Sequence, residues 1–188
     1  MEMLPDFAAL SLHTPNLLLR CPIEADVSAL VAGLGLFRVA KMLAQVPHPY
    51  READAVAWLK LVRVAAAERS DLPMAIVHAG RVIGGIGLHG LESLPEVTNF
   101  GYWLAPPYWN RGFATEAARA VIDFAFDHLG ADSIRSGVFI GNHASLRVQT
   151  KLGFEEIGLR SVFCLARGTE VPHIDTMLIR ARYPAARQ

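Results

Sequence analysis

The chain has 188 residues, with 18 Lys and Arg against 18 Asp and Glu, so its formal net charge is zero. Hydrophobic residues make up 52% and charged residues 19%, which excludes a largely disordered chain and allows a substantial core in a single domain over residues 1–188. The charge balance argues against a dedicated nucleic-acid binder, which would carry a basic excess.

Residues Met1 to about Pro15 read as an arm of mixed character. Leu17–Arg20 is a short strand, ended by Pro22. Asp26 is placed to cap a helix carrying Val27, Leu30, Val31 and Leu34, which Gly33 and Gly35 weaken. A second, shorter helix is expected from Phe37 to about Val46. After Pro47-His48-Pro49, helical spacing of Ala55, Trp58, Leu59 and Val62 predicts a longer helix from about Arg51 to Glu68. The period then changes. Met74–His78 and Val82–Leu88 are strand runs joined through Ala79-Gly80 as a hairpin. The glycines at 84, 85 and 87 suggest a bulge, or a close approach to another backbone or a ligand. A loop around Glu92–Glu96 leads into a strand over Val97–Leu104, and a helix runs to about His128. Ile134–Ile140 is a strand, Gly141-Asn142 a turn, and Asn142–Leu152 a helix stopped by Gly153. Phe154–Leu159 and Ile174–Ile179 are the last strands, with a loop at Arg167-Gly168. This order predicts an α/β (α+β) three-layer fold with a mixed, mostly antiparallel central sheet flanked by helices.

Cys21 and Cys164 lie far apart with no C-x-x-C pair, so reduced, buried thiols in a cytoplasmic protein are expected rather than a disulfide scaffold or a metal site. The start lacks a signal-like basic and apolar run, and no uncharged apolar segment approaches the roughly 20 residues of a spanning helix, so no membrane partner is expected.

The chain is organised around Tyr108–Ala118, Y-W-N-R-G-F-A-T-E-A-A. It joins an apolar strand to a helix, with Arg111, Gly112 and Ala114 at the joint. A helix start there presents unpaired N–H groups and the positive end of the dipole, while glycine and small neighbours let a ligand approach the backbone. That combination receives phosphate. Neither G-x-x-x-x-G-K-[ST] nor a helix-opening G-x-G-x-x-G is present. The stretch resembles the pyrophosphate loop of the GNAT superfamily of acetyl-CoA-dependent N-acetyltransferases, Q/R-x-x-G-x-G/A. Here it reads Trp109-Asn110-Arg111-Gly112-Phe113-Ala114, with Trp109 in the first position, in a form similar to ribosomal-protein N-terminal alanine acetyltransferases. About thirty residues on, Asn142-His-Ala-Ser145 through Lys151-Leu-Gly153-Phe154 resembles the superfamily's second motif. The likeness covers roughly Leu12 to Arg182.

The resemblance implies an enzyme that moves acetyl from acetyl-CoA to a primary amine by direct attack in a ternary complex, with a protein or peptide N-terminus among its acceptors. It implies that Asn110, Arg111, Gly112, Phe113, Ala114 and Thr115 hold the pyrophosphate, and that Asn142 meets the pantetheine or cysteamine arm. The strands around Phe100–Leu104 and Ile134–Ile140 would splay to admit pantetheine and offer N–H groups to the thioester carbonyl. Many relatives carry a tyrosine acid seven residues after the motif asparagine; here that position is Gln149. Ser145 is the substitute that the resemblance offers, through a hydrogen bond to the leaving thiolate. The glutamate that relatives place before G-Y-W is Asn99 here, which leaves Glu96, His173 and Asp175 as candidate bases. His173 and Asp175 share one face of the last strand, and histidine suits proton transfer near neutrality. Their alternative reading is an edge-strand pair with ordinary polar contacts. Tyr102, Trp103, Tyr108 and Trp109 read chiefly as packing, and Glu116 and Arg119 as exposed. A small-molecule amine acceptor (amino acid, polyamine or antibiotic) and a non-catalytic acyl-CoA sensor remain as alternatives, and the sequence leaves any oligomeric state open.

Overall fold

The computed structural model describes residues 5–183. The first half runs β1 (Ser11–His13), β2 (Leu18–Arg20), α1 (Val27–Leu34), α2 (Phe37–Ala40), α3 (Glu52–Glu68), β3 (Asp71–His78) and β4 (Arg81–His89). The second half runs β5 (Glu96–Val97), β6 (Asn99–Leu104), α4 (Phe113–Asp127), β7 (Ser133–Phe139), α5 (His143–Leu152), β8 (Glu155–Cys164) and β9 (Thr169–Ile179).

The strands form two sheets, ordered β1-β2-β3-β4-β6 and β5-β7-β9-β8, and only the short β5–β7 pair is parallel. This is the predicted mixed, mostly antiparallel arrangement. Alternation along β6 gives the first sheet its two faces: Phe100, Tyr102 and Leu104 enter the core built with α4, while Trp103 packs against Leu30, Leu34 and Tyr50 on the other side. Helix α4 buries Phe113, Ala117, Ala118, Val121, Ile122, Phe124, Ala125 and Phe126, a helical stripe broad enough to cover the sheet. Each fully buried side chain of this size contributes roughly 1.5–3 kcal/mol.

Local signals account for most element ends. The β3–β4 hairpin turns at Ala79 and Gly80, both with positive φ, as a type I′ turn requires. Asn142 Oδ1 accepts from Ser145 N at 3.3 Å at the start of α5, and Gly153 at φ +91° ends it. Cys21 and Cys164 are both free and buried.

Several expectations are corrected. The arm up to residue 15 contains β1, which pairs with β2; residues 1–4 lie outside the described residues. Asp26 occupies the N-cap position of α1, but its side chain makes no capping hydrogen bond to the helix. Its carboxylate, 4% exposed, accepts from Arg20 Nη1 at 2.7 Å, Arg20 Nη2 at 2.8 Å and Ile23 N at 2.9 Å, and so ties β2 to the helix entry. The helix expected from Phe37 to Val46 closes at Ala40 and continues as turns. The strand expected over Val97–Leu104 breaks at Thr98, sending β5 and β6 to different sheets. β8 and β9 run longer than predicted because each supplies the other's hydrogen bonds over most of its length. Of the alternatives for the β4 glycines, close approach to another strand is the one seen: Gly84 and Gly85 leave room for the backbone and ring of Trp103 on β6.

Glu116, expected to be exposed, joins α4 to the β1–β2 turn. It accepts from Thr14 Oγ1 at 2.6 Å, Asn16 N at 2.8 Å and Asn16 Nδ2 at 3.0 Å. Burial alone would raise its pKa, but these hydrogen bonds outweigh it and hold the carboxyl below its ordinary value. Glu116→Ala should lower stability by about 1 kcal/mol, discounted for partial exposure. A depressed folded pKa gives stability that is present above the unfolded carboxylate value and lost as pH falls through the folded one. Urea unfolding at neutral and acid pH should therefore show the gap between wild type and variant closing on the acid side.

Candidate functional site

β6 and β7 belong to different sheets, and one line of side chains joins them where a ladder is missing. Ser136 Oγ on β7 donates to Phe100 O on β6 at 2.7 Å. Gln149 of α5, 1% exposed, donates to Ser136 Oγ at 2.9 Å and accepts from Thr176 Oγ1 of β9 at 2.8 Å. Gln149 thus occupies the expected acid position as a buried brace. Nothing in the sequence signals this, since its partners lie on two separate strands.

Beyond the brace the strands part into a cleft of ≈ 1370 Å³. Phe100 O and Leu104 O both point away from β4, the second accepting from Trp109 Nε1 at 2.7 Å. Backbone groups alternate along an antiparallel strand, so the Tyr102 N–H lies on this open side as well.

Asn110 to Thr115 line the cleft. Gly112, at φ +83°, turns the chain into α4, a conformation that L side chains rarely adopt. The first N–H groups of the helix have no partner within it, and Arg111, Arg147 and Lys151 line the same cleft. Arg111 lies over the Phe113 and Tyr108 rings at 4.9 and 5.9 Å. Open amides, a helix of fifteen residues and cations in the cleft lining fit a phosphate-bearing ligand.

Ser145 also lines the cleft. Its Oγ lies 2.8 Å from the Tyr102 hydroxyl, so its side chain reaches across to β6 instead of closing the first turn of α5. Asn142, exposed His143 and the Tyr102 ring share this wall.

β8, β9 and the segment after α2 also line the cleft. His173 Nδ1 and Asp175 Oδ1 are 2.9 Å apart, and Arg160 Nε reaches both Asp175 oxygens at 2.9 and 2.8 Å. β9 is an interior strand, so the pair is not an edge feature. Burial lowers the His173 pKa, and Asp175 pulls it back only in part. A Cβ on Gly137 would collide with the imidazole, so glycine there admits the ring. Glu96 does not join this group: it is exposed on β5, opposite Ser133, and does not line the cleft. A strap ties the segment after α2 to the β8–β9 turn. Leu165 N donates to Ala44 O at 3.0 Å, and Arg167 Nε to Lys41 O at 2.8 Å. Among the described residues no metal-binding cluster is found, and no helix is long and apolar enough to cross a membrane.

Comparison with known proteins agrees with this geometry. The acetyltransferase (GNAT) domain family matches residues 16–155. The chain belongs to the GNAT acetyltransferase family. The uncharacterized N-acetyltransferase YoaA of Bacillus subtilis is 28% identical over 173 residues, 84% of this chain and 90% of its own. Mycobacterium smegmatis RimJ, solved with CoA-disulfide, superposes with a TM-score of 0.83 at 20% identity, over 97% of this chain and 92% of its own. The ribosomal-protein-S5-alanine acetyltransferase of Vibrio fischeri gives 0.75 at 18% identity, over 93% of this chain and 99% of its own. The fold of this GNAT N-acetyltransferase is thus that of enzymes in its superfamily.

Gln149→Leu should expose the role of the brace. It strands the Ser136 and Thr176 hydroxyls in the interior, and chemical denaturation should report a loss of about 2–3 kcal/mol.

Proposed function

We propose that this GNAT enzyme acetylates the α-amino group of a protein or peptide N-terminus, using acetyl-CoA in a ternary complex. The observation that carries this reading is one cleft lined both by a phosphate-fitting helix start and by a His–Asp pair, with unpaired strand backbone in its wall. The names of similar proteins support the choice of acceptor, the Vibrio fischeri enzyme being a ribosomal-protein-S5-alanine acetyltransferase.

Asn110 to Thr115 hold the pyrophosphate on backbone amides, with Arg111, Arg147 and Lys151 adding charge, and Asn142 borders the pantetheine arm. Acetyl-CoA supplies the activated acyl group: the amine's new C–N bond forms as the C–S bond breaks and the thiolate leaves. The Tyr102 N–H polarises the carbonyl under attack. Ser145 donates its hydroxyl hydrogen to the leaving sulfur. His173 is the base, its Nδ1–H directed at Asp175 and its Nε2 free to take the proton that the ammonium loses. Asp175 serves by orientation, since Arg160 and His173 already occupy its oxygens.

Thiol release should depend on added N-terminal peptides, and weakly or not at all on amino acids, polyamines or aminoglycosides. Release driven by the small amines alone overturns the assignment of the acceptor, and acetyl-CoA binding without release to any acceptor supports a sensor instead. Gly112→Asp places a negative charge at the pyrophosphate, and calorimetry should show acetyl-CoA binding weakened at least about tenfold; unchanged affinity removes the loop from the site. A base must be unprotonated, so the acid limb of kcat/KM should lie below the ordinary imidazole value, in the direction that burial shifts His173. His173→Gln should abolish that limb; a limb that persists unaltered excludes His173.

A further inference from the structure

Ser145 is a weak proton source, and the position that could have held a tyrosine acid is filled by Gln149, whose amide is committed to Ser136 and Thr176. The cleft nevertheless contains a tyrosine hydroxyl at the right depth, delivered from the opposite wall. Tyr102 projects from β6 into the core side of the first sheet, its ring 5.8 Å from that of Phe100; its hydroxyl faces two acceptors on α5, Ser145 Oγ at 2.8 Å, where either oxygen can donate, and the more distant Ser145 O at 3.3 Å, which can only accept.

We propose that Tyr102 is the positioning residue for Ser145: its hydroxyl donates to Ser145 Oγ and so turns the serine hydrogen toward the thioester sulfur. This rests on the proposed acetyl transfer and goes beyond it by assigning a second residue to the leaving group.

Three arguments support that direction of donation, which the 2.8 Å contact by itself leaves open, Ser145 Oγ being the nearer of the two acceptors around the Tyr102 hydroxyl. Burial pushes the Tyr102 pKa up to about 12, so its hydroxyl keeps its proton and serves as a hydrogen-bond donor rather than as an acid. A serine hydroxyl has one hydrogen and two lone pairs, so accepting from Tyr102 leaves the hydrogen for another acceptor. A hydroxyl that accepts a hydrogen bond is itself a stronger donor, and the effect grows in a site shielded from water. Tyr102 also joins both halves of the chemistry, because its backbone N–H lies on the open side of β6 while its side chain reaches α5. Tyr102→Phe separates the two, removing the hydroxyl and leaving the backbone and the ring packing in place.

The test reads bound coenzyme A directly and needs no acceptor. Reduced coenzyme A is bound to the full-length protein, and its thiol is titrated by thiolate ultraviolet absorbance in wild type, Tyr102→Phe, Ser145→Ala and the double variant. The expected result is a bound-thiol pKa about one unit higher in Tyr102→Phe than in wild type, one hydrogen bond's worth. The double variant should then match Ser145→Ala. In steady state, Tyr102→Phe should lower kcat about tenfold with KM for acetyl-CoA unchanged. Identical thiol titration in wild type and Tyr102→Phe overturns the proposal. So does an equal Tyr102→Phe effect with and without Ser145, which would mean that Tyr102 acts independently of the serine. Failure of the wild-type protein to bind coenzyme A would instead refute the donor site itself, and is read separately in the same experiment.

Discussion

Where β6 and β7 run side by side, the backbone ladder gives way to a line of side-chain hydrogen bonds, Phe100 O to Ser136 to Gln149 to Thr176. Two strands held apart in this way keep their facing N–H and C=O groups unpaired, which in a protein interior is costly unless something polar takes their place. The brace therefore does two things. It holds the two sheets in one body, and it sets the point beyond which they must diverge. Because Gln149 both donates and accepts, one buried amide satisfies hydroxyls on two strands, and an apolar residue of similar size could not do the same.

The remaining site residues take their places from that opening. α4 starts where β6 runs out, so its unpaired amides lie at the mouth of the fork, and Trp109 fastens the link by donating to Leu104 O. α5 follows β7 after a three-residue connection, which brings Ser145 opposite Tyr102 in the cleft. β9, between β7 and β8, sets His173 and Asp175 on the face that the fork exposes. On the proposed reading, donor contacts come from helix starts and acceptor contacts from strand faces. In the proposed reaction this division suits the two ligands, one anionic and one carrying the proton to be removed.

Much of this was legible in the sequence, and the reasons are local. Gly112 before a helical stripe, Asn142 as a cap, Gly153 as a stop and Ala79-Gly80 as a turn each depend on a few neighbouring residues. What could not be read depends on partners far along the chain. Glu116 looked exposed because its three donors sit about a hundred residues earlier. Asp26 differs in that its partner Arg20 is only six positions away; it looked like a helix cap because the two side chains meet only once the chain has turned from β2 into the helix entry. Tyr102 read as packing because only the fold places it beside Ser145. Glu96 drew attention by proximity in sequence, yet the break at Thr98 carries it into the other sheet, away from the cleft.

The strap between residues 41–44 and the β8–β9 turn has a consequence for how such an enzyme can diverge. The phosphate-fitting loop, the fork and Ser145 all come from one continuous run between residues 99 and 153. The strap instead joins segments more than 120 positions apart, Ala44 to Leu165 and Lys41 to Arg167. The mouth of the cleft beside the strap therefore exists only once both ends of the chain have folded around the middle. Changes in those two outlying segments can reshape what enters the mouth without touching the run that fits the nucleotide. On the proposed reading, the surface that meets the acceptor and the run that meets the donor can therefore change independently.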